Sequence, residues 1–284
     1  TPESQEIQDY LYWVRFLKSI GTSVLLTPWG DYFAYSDWML DGKARLPVPD
    51  KREAMVRSLV DFVEFLRRDQ GLDNVEYLCL MNEPDNDPRT TPEVEEYVEL
   101  NRLLDKKLRE RGLRDEIFLL GVDDCRGGPA TITKWYRDVI SEGLEYADGV
   151  SAHTYVHGYV PPLESWVKTR IDLVNGNDLG RQAKPLLITE FGNITEYTDP
   201  YSNNENHKYD YGLFLADFAV TALRAGASGA LAWCMMDVYY DQQNMQKGGL
   251  WRFKDTGWKP RPGFYTWSLI TRYARPDSQV LLVA

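Results

Sequence analysis

Residues 75–111, VEYLCLMNEPDNDPRTTPEVEEYVELNRLLDKKLRER, hold one complete strand-and-helix repeat. Residues 75–81 form a short apolar run of the buried-strand kind. Asn82-Glu83-Pro84 ends it, and residues 92–111 bring apolar side chains back at helical spacing. The same alternation extends both ways. Upstream lie a helix over 7–17, with Ile7, Tyr10, Leu11, Val14 and Leu17 on one face, a strand over 22–27 and a helix over 52–68. Downstream, strands over 116–121, 149–153, 185–189 and 229–233 alternate with helices over 131–142, 162–174, 209–225 and 263–273. The stripe Trp13, Phe16 and Leu17 reads as helix surface packed on the sheet.

Short strands alternating with longer helices predict an α/β chain built of βα units around a parallel sheet. A chain of 284 residues also suits a single (β/α)8 TIM barrel, which runs to roughly 250 residues or more. Six strands are visible where closure takes eight, and the pattern opens on a helix. The expectation is a barrel showing strands three to eight, with the first one or two βα units missing from the sequence. Residues 1–277 are assigned to this barrel domain. Arg275-Pro276 ends the last helix, and residues 278–284, SQVLLVA, read as the start of a C-terminal strand or an appended β-domain.

Composition narrows the function classes. Lys and Arg number 32 against 43 Asp and Glu, a net charge of −11, so a nucleic-acid backbone would meet repulsion. Mean hydropathy is −0.44 and no apolar run reaches membrane-spanning length, so no membrane insertion is expected. Cys79, Cys125 and Cys234 are too few and too scattered for a disulfide framework or a zinc ribbon, and read as buried thiols. Nine Trp and eighteen Tyr exceed the needs of a core and hint at platforms for sugar faces.

In parallel barrels the chemistry sits at the carboxyl ends of the strands. Three endings stand out: Asn82-Glu83-Pro84, His153-Thr154-Tyr155 and Glu190-Phe191-Gly192. Two carboxylates on one rim, an amide beside one and a phenol near the other, are the groups that retaining glycoside hydrolysis needs. One carboxyl is protonated to assist the leaving group and the other is ionised as nucleophile, roughly 5–5.5 Å away.

This set resembles the clan A glycoside hydrolases, the (β/α)8 superfamily of cellulases, mannanases, β-xylosidases and β-galactosidases. The resemblance implies Glu83 as acid/base and Glu190 as nucleophile. It further implies that Asn82 bonds the sugar 2-hydroxyl, Tyr155 holds the nucleophile, His153 contacts substrate and Trp233 floors the same subsite. Clan members also carry an Arg on strand two, and no strand two is visible here. The implied reaction cleaves a β-glycosidic bond of an oligo- or polysaccharide through a covalent glycosyl-enzyme, with no metal and no cofactor. Such a substrate would suit a secreted or periplasmic protein.

Several residues carry two readings. Trp29 at a strand end and Trp251 in the insert after the last strand either line the cleft or pack locally. Asp123 and Asp124 either bind hydroxyls or cap the following helix. Asp237, just past Trp233, is equally open. His153 and His157 have helical zinc spacing but lie on a strand and its loop, where their rings would not converge on one ion. A barrel that binds glycan without cleaving it keeps the aromatics but has no need of both Glu83 and Glu190.

Overall fold

The structure is a computed structural model, which describes residues 3–29, 47–86, 91–126, 132–142, 144–156, 163–176, 183–193, 204–239, 245–276 and 278–280. His157 and residues 281–284 lie outside them. The chain divides into two compact units, Thr1–Cys125 with Lys134–Ser151, and Arg126–Thr133 with Ala152–Ala284.

The first unit begins with helix α1 (Gln5–Ser19), whose N-cap Ser4 accepts a hydrogen bond from Ile7 N. Strand β1 (Val24–Leu26) follows, then α2 (Arg52–Glu64), β2 (Val75–Cys79), α3 (Val94–Glu110), β3 (Phe118–Asp124) and α4 (Lys134–Ser141). β1, β2 and β3 are successive parallel neighbours, with Val24 opposite Val75 and Tyr77 opposite Phe118. Strand β4 (Gly149–Val156) starts in this unit beside β3, where Asp148 N donates to Leu119 O at 2.8 Å.

One packed cluster consists of Leu11, Val14, Leu66, Leu72 and Val75, with Ile7 and Tyr10 against it. These are the positions that recur at three and four along α1. Trp13 and Phe16 are 50% and 43% exposed, so the expected Trp13–Phe16–Leu17 packing face is corrected. At 100° per residue those two rings fall on the face turned away from the Leu11–Val14 stripe, and they meet each other edge-on at 6.0 Å.

At the amino ends of β3 and β4, Arg114 forks onto both oxygens of Asp148 at 2.8 Å and donates to Tyr146 O at 3.0 Å. Asp148 in turn accepts from Leu119 N at 2.7 Å. This clamp takes up polar groups that the strand ladder leaves over.

The second unit holds the rest of β4, α5 (Leu163–Gly176), β5 (Leu186–Asn193), α6 (Tyr209–Arg224), β6 (Gly229–Ala232) and α7 (Pro262–Tyr273). Its sheet order is β4-β5-β6, and β5 and β6 are parallel, with Leu187 opposite Gly229. Phe191 of β5 stacks on Phe218 of α6 at 3.8 Å and meets Trp267 of α7 edge-on at 5.3 Å. Between β6 and α7 lies a small antiparallel hairpin, β7 (Val238–Tyr239) and β8 (Met245–Gln246).

The six βα strands expected from the sequence are therefore present as β1 to β6. β4 and β5 run several residues longer than read, so Tyr155 and Glu190 lie within strands. Ser278, Gln279 and Val280 adopt no strand. Among the described residues no helix is long and apolar enough to cross a membrane.

Candidate active site

In the first unit the informative place is the turn after β2. Glu83 adopts φ 43°, a left-handed conformation that costs a non-glycine residue on the order of 1 kcal/mol and has to be held by its surroundings. Asn86 supplies part of that hold: its side-chain amide donates to Glu83 Oε2 at 2.8 Å and its backbone N–H to Glu83 O at 3.1 Å. Asn82 N donates to Pro28 O at 2.9 Å, which ties this turn to the end of β1 just before Trp29. Buried Asp85 accepts from Cys125 N at 2.9 Å and so ties the turn to the end of β3.

Asp123 and Asp124 are buried at the end of β3, and Val122 and Asp123 are also left-handed, with φ 78° and 55°. The phenol of Tyr97 accepts from Val122 N and donates to Val122 O, holding that bend. The Cys125 thiol is pushed far up by burial and by the Glu83, Asp85 and Asp124 carboxylates, which disfavours the thiolate.

In the second unit three of the expected residues, His153, Tyr155 and Glu190, meet. Glu190 is 8% exposed on β5. Tyr155 of β4 donates its phenol O–H to Glu190 Oε1, and His153 Nδ1, from a side chain 2% exposed, stands 3.6 Å from Oε2. One oxygen of the carboxylate is thus hydrogen-bonded and the other faces an imidazole. These two neighbours fix how the carboxylate is turned.

Gly192 makes room for the phenol. A Cβ there would come within 3.0 Å of Tyr155 Cε1. Trp233 follows β6, its backbone N–H donating to Phe191 O at 2.9 Å, and its peptide bond to Cys234 is cis. Burial first, then the Asp237 and Glu190 carboxylates, push the Cys234 thiol up to about 12.

Other sequence candidates have contacts of their own. Trp251 meets Phe264 of α7 edge-on at 4.5 Å, a contact between the insert and that helix. Asp237 is buried in a two-pronged ion pair with Arg261 at 2.8 and 2.9 Å. Three residues that carry interactions here were not singled out from sequence: Asn86, Gln246 and Arg261. Gln246 accepts from the Trp233 indole N–H at 2.9 Å. Its two-residue strand is too short to leave a periodic signal.

No model of a known protein family matches the chain, and no curated protein matches it by sequence. Solved structures do match. SrfJ from Salmonella typhimurium superimposes with a TM-score of 0.67 at 14% identity over 89% of this chain and 54% of its own. A monomeric β-xylosidase from Caulobacter crescentus CB15 gives 0.60 at 16% identity over 87% and 52%. AbfB, a family 51 α-L-arabinofuranosidase from Bifidobacterium longum, gives 0.60 at 12% identity over 93% and 56%. Structural neighbours of this chain are glycoside hydrolases. The chain spans about half the length of each of these three structures.

Proposed function

We propose that the chain is the larger part of a retaining glycoside hydrolase barrel, with β1 to β6 as strands three to eight, Glu190 as nucleophile and Glu83 as acid/base. The observation that carries the reading is the Glu190 carboxylate, bonded by Tyr155 on one oxygen and faced by His153 on the other. The left-handed turn that holds Glu83 after a parallel strand supports it, as does the fold shared with glycosidases. Exposed apolar side chains on α1 (Tyr12, Trp13, Phe16) and Leu231 on β6 suit elements that further βα units would cover.

In the first step a Glu190 oxygen attacks the anomeric carbon while the bond to the leaving oxygen breaks and takes the Glu83 proton. A glycosyl ester results. In the second step water attacks that carbon, Glu83 receives its proton and Glu190 leaves as carboxylate. Asn82 would bond the 2-hydroxyl, and Trp233 would carry the apolar face of the same sugar. Trp29 and Trp251 would serve as outer contacts. Two carboxyls and water suffice, so no metal or organic cofactor enters the reaction. The substrate is an oligo- or polysaccharide with a β-glycosidic bond, which suits a secreted or periplasmic setting.

Intact mass after exposure to 2-fluoro glycosyl inactivators of both anomers tests this. The expected result is one adduct on the unmodified protein, absent in Glu190→Gln. Glu83→Gln should slow substrates with poor leaving groups by about 100-fold or more and activated aryl glycosides far less. A protein that hydrolyses no glycoside and takes no label, yet binds glycan, is the binding-only barrel.

A further inference from the structure

Trp233 directly follows β6, and Gln246, which accepts its indole N–H at 2.9 Å, lies thirteen positions on in β8. The hairpin that carries Gln246 is pinned from several sides. Gln246 pairs with Val238 across the β7–β8 ladder. Asp237, immediately before β7, accepts from Gly249 N at 3.1 Å and Phe253 N at 3.3 Å as well as from Arg261. Arg261 also donates to Gly249 O at 2.6 Å, and both charged side chains are 3% exposed.

Next to Gln246, the Lys247 carbonyl accepts from the buried Asn206 amide. The chain turns so tightly that a Cβ at Gly249 would fall 2.2 Å from the Met236 carbonyl carbon. These contacts fix the Gln246 backbone, and through it the acceptor that meets the indole.

We propose that Gln246 is a positioning residue, which holds the indole of Trp233 so that its ring face, not its N–H, is offered to a sugar lying on its C–H face. This rests on the reading of Trp233 as the sugar floor. A ring whose N–H is already committed recognises shape and apolar surface rather than a particular hydroxyl. Turning it to reach a hydroxyl would break the Gln246 bond inside a half-buried site. Gln246 thus acts on specificity through Trp233 and does not itself touch the reacting atoms.

The experiment reads the indole N–H resonances of the ligand-free, 15N-labelled protein, with the Trp233 signal identified by its loss in Trp233→Phe. It is joined to kcat and KM on a panel of nitrophenyl glycosides. Gln246→Met removes the acceptor at similar volume, and its Trp233 signal should move upfield with the others unchanged. Gln246→Glu keeps an acceptor, and the signal should stay downfield.

On the best glycoside, Gln246→Met should lose about tenfold in kcat/KM. In the Trp233→Phe background the same change should cost about twofold or less, because the group it acts through is gone. An indole signal indifferent to Gln246→Met overturns the proposal. An equal loss in both backgrounds does too, since Gln246 would then act without Trp233. If the unmodified protein neither turns over any glycoside nor takes the 2-fluoro label, the glycosidase reading fails, while the indole signal still decides the Gln246 contact.

Discussion

A Tyr155→Phe substitution deletes one oxygen and, with it, the hydrogen bond to Glu190 Oε1. A bond to a charged acceptor contributes about 1.5–3 kcal/mol, so if the loss falls on the transition state, kcat should drop about 10- to 100-fold with the melting temperature nearly unchanged. Gly192 acts on the same bond by another route. An added Cβ would stand 3.0 and 3.3 Å from two carbons of the Tyr155 ring, so the phenol has to retreat by a few tenths of an ångström. Gly192→Ala should therefore lower kcat in the same direction, by about three- to tenfold. The double variant should fall little below Tyr155→Phe alone, since both changes spend themselves on one contact. Additive losses measured on one glycoside would show that Gly192 serves something other than the phenol.

At the scale of elements, legibility followed pattern length. Helices and long buried strands repeat their signal several times, so α3, α6 and β5 stood out, and so did the motifs at Glu83, His153 and Glu190, although the last two proved to lie inside β4 and β5 and not at their ends. β7 and β8 have two residues each, and their register is set by Asp237 and Arg261, charged residues 24 positions apart that hydropathy reads as surface. The Trp13 and Phe16 reading failed for a related reason: large aromatics score as core whatever face they occupy, while the 3.6-residue period puts the Leu11–Val14 stripe inside. The hairpin has its own test. Arg261→Met strands a buried Asp237 carboxylate and should cost about 3–5 kcal/mol, whereas replacing both partners by apolar residues should restore much of it. Thermal unfolding of the two variants reads the difference.

For the molecule as a whole, acid should be the damaging direction, and the ion pairs of the first unit say where. Burial alone would raise the Asp105 carboxyl, but hydrogen bonds and charge from Arg109 and Arg114 outweigh it and hold the group below the ordinary aspartate value of 3.8. Glu116 is likewise held below 4.5: Arg67 and Arg68 overcome the burial that would raise it. Between the folded and unfolded values the unfolded chain binds more protons, so unfolding free energy rises with pH across that window. The stabilisation is complete above about pH 5 and is lost as pH falls through the folded values, which lie below 3.8 for Asp105 and below 4.5 for Glu116. Melting temperature should therefore hold a plateau from neutral pH down to about 5 and then drop steeply. Arg114→Met also removes the bidentate partner of Asp148, and should lower the plateau and flatten the drop. Solubility follows a different curve, with its minimum near the pI of 4.9, where the net charge of −11 has been titrated away. Calorimetric scans at low protein concentration separate the two. An acid limb as steep in Arg114→Met as in the unmodified protein would remove Asp105 from this account and leave the loss to other carboxylates.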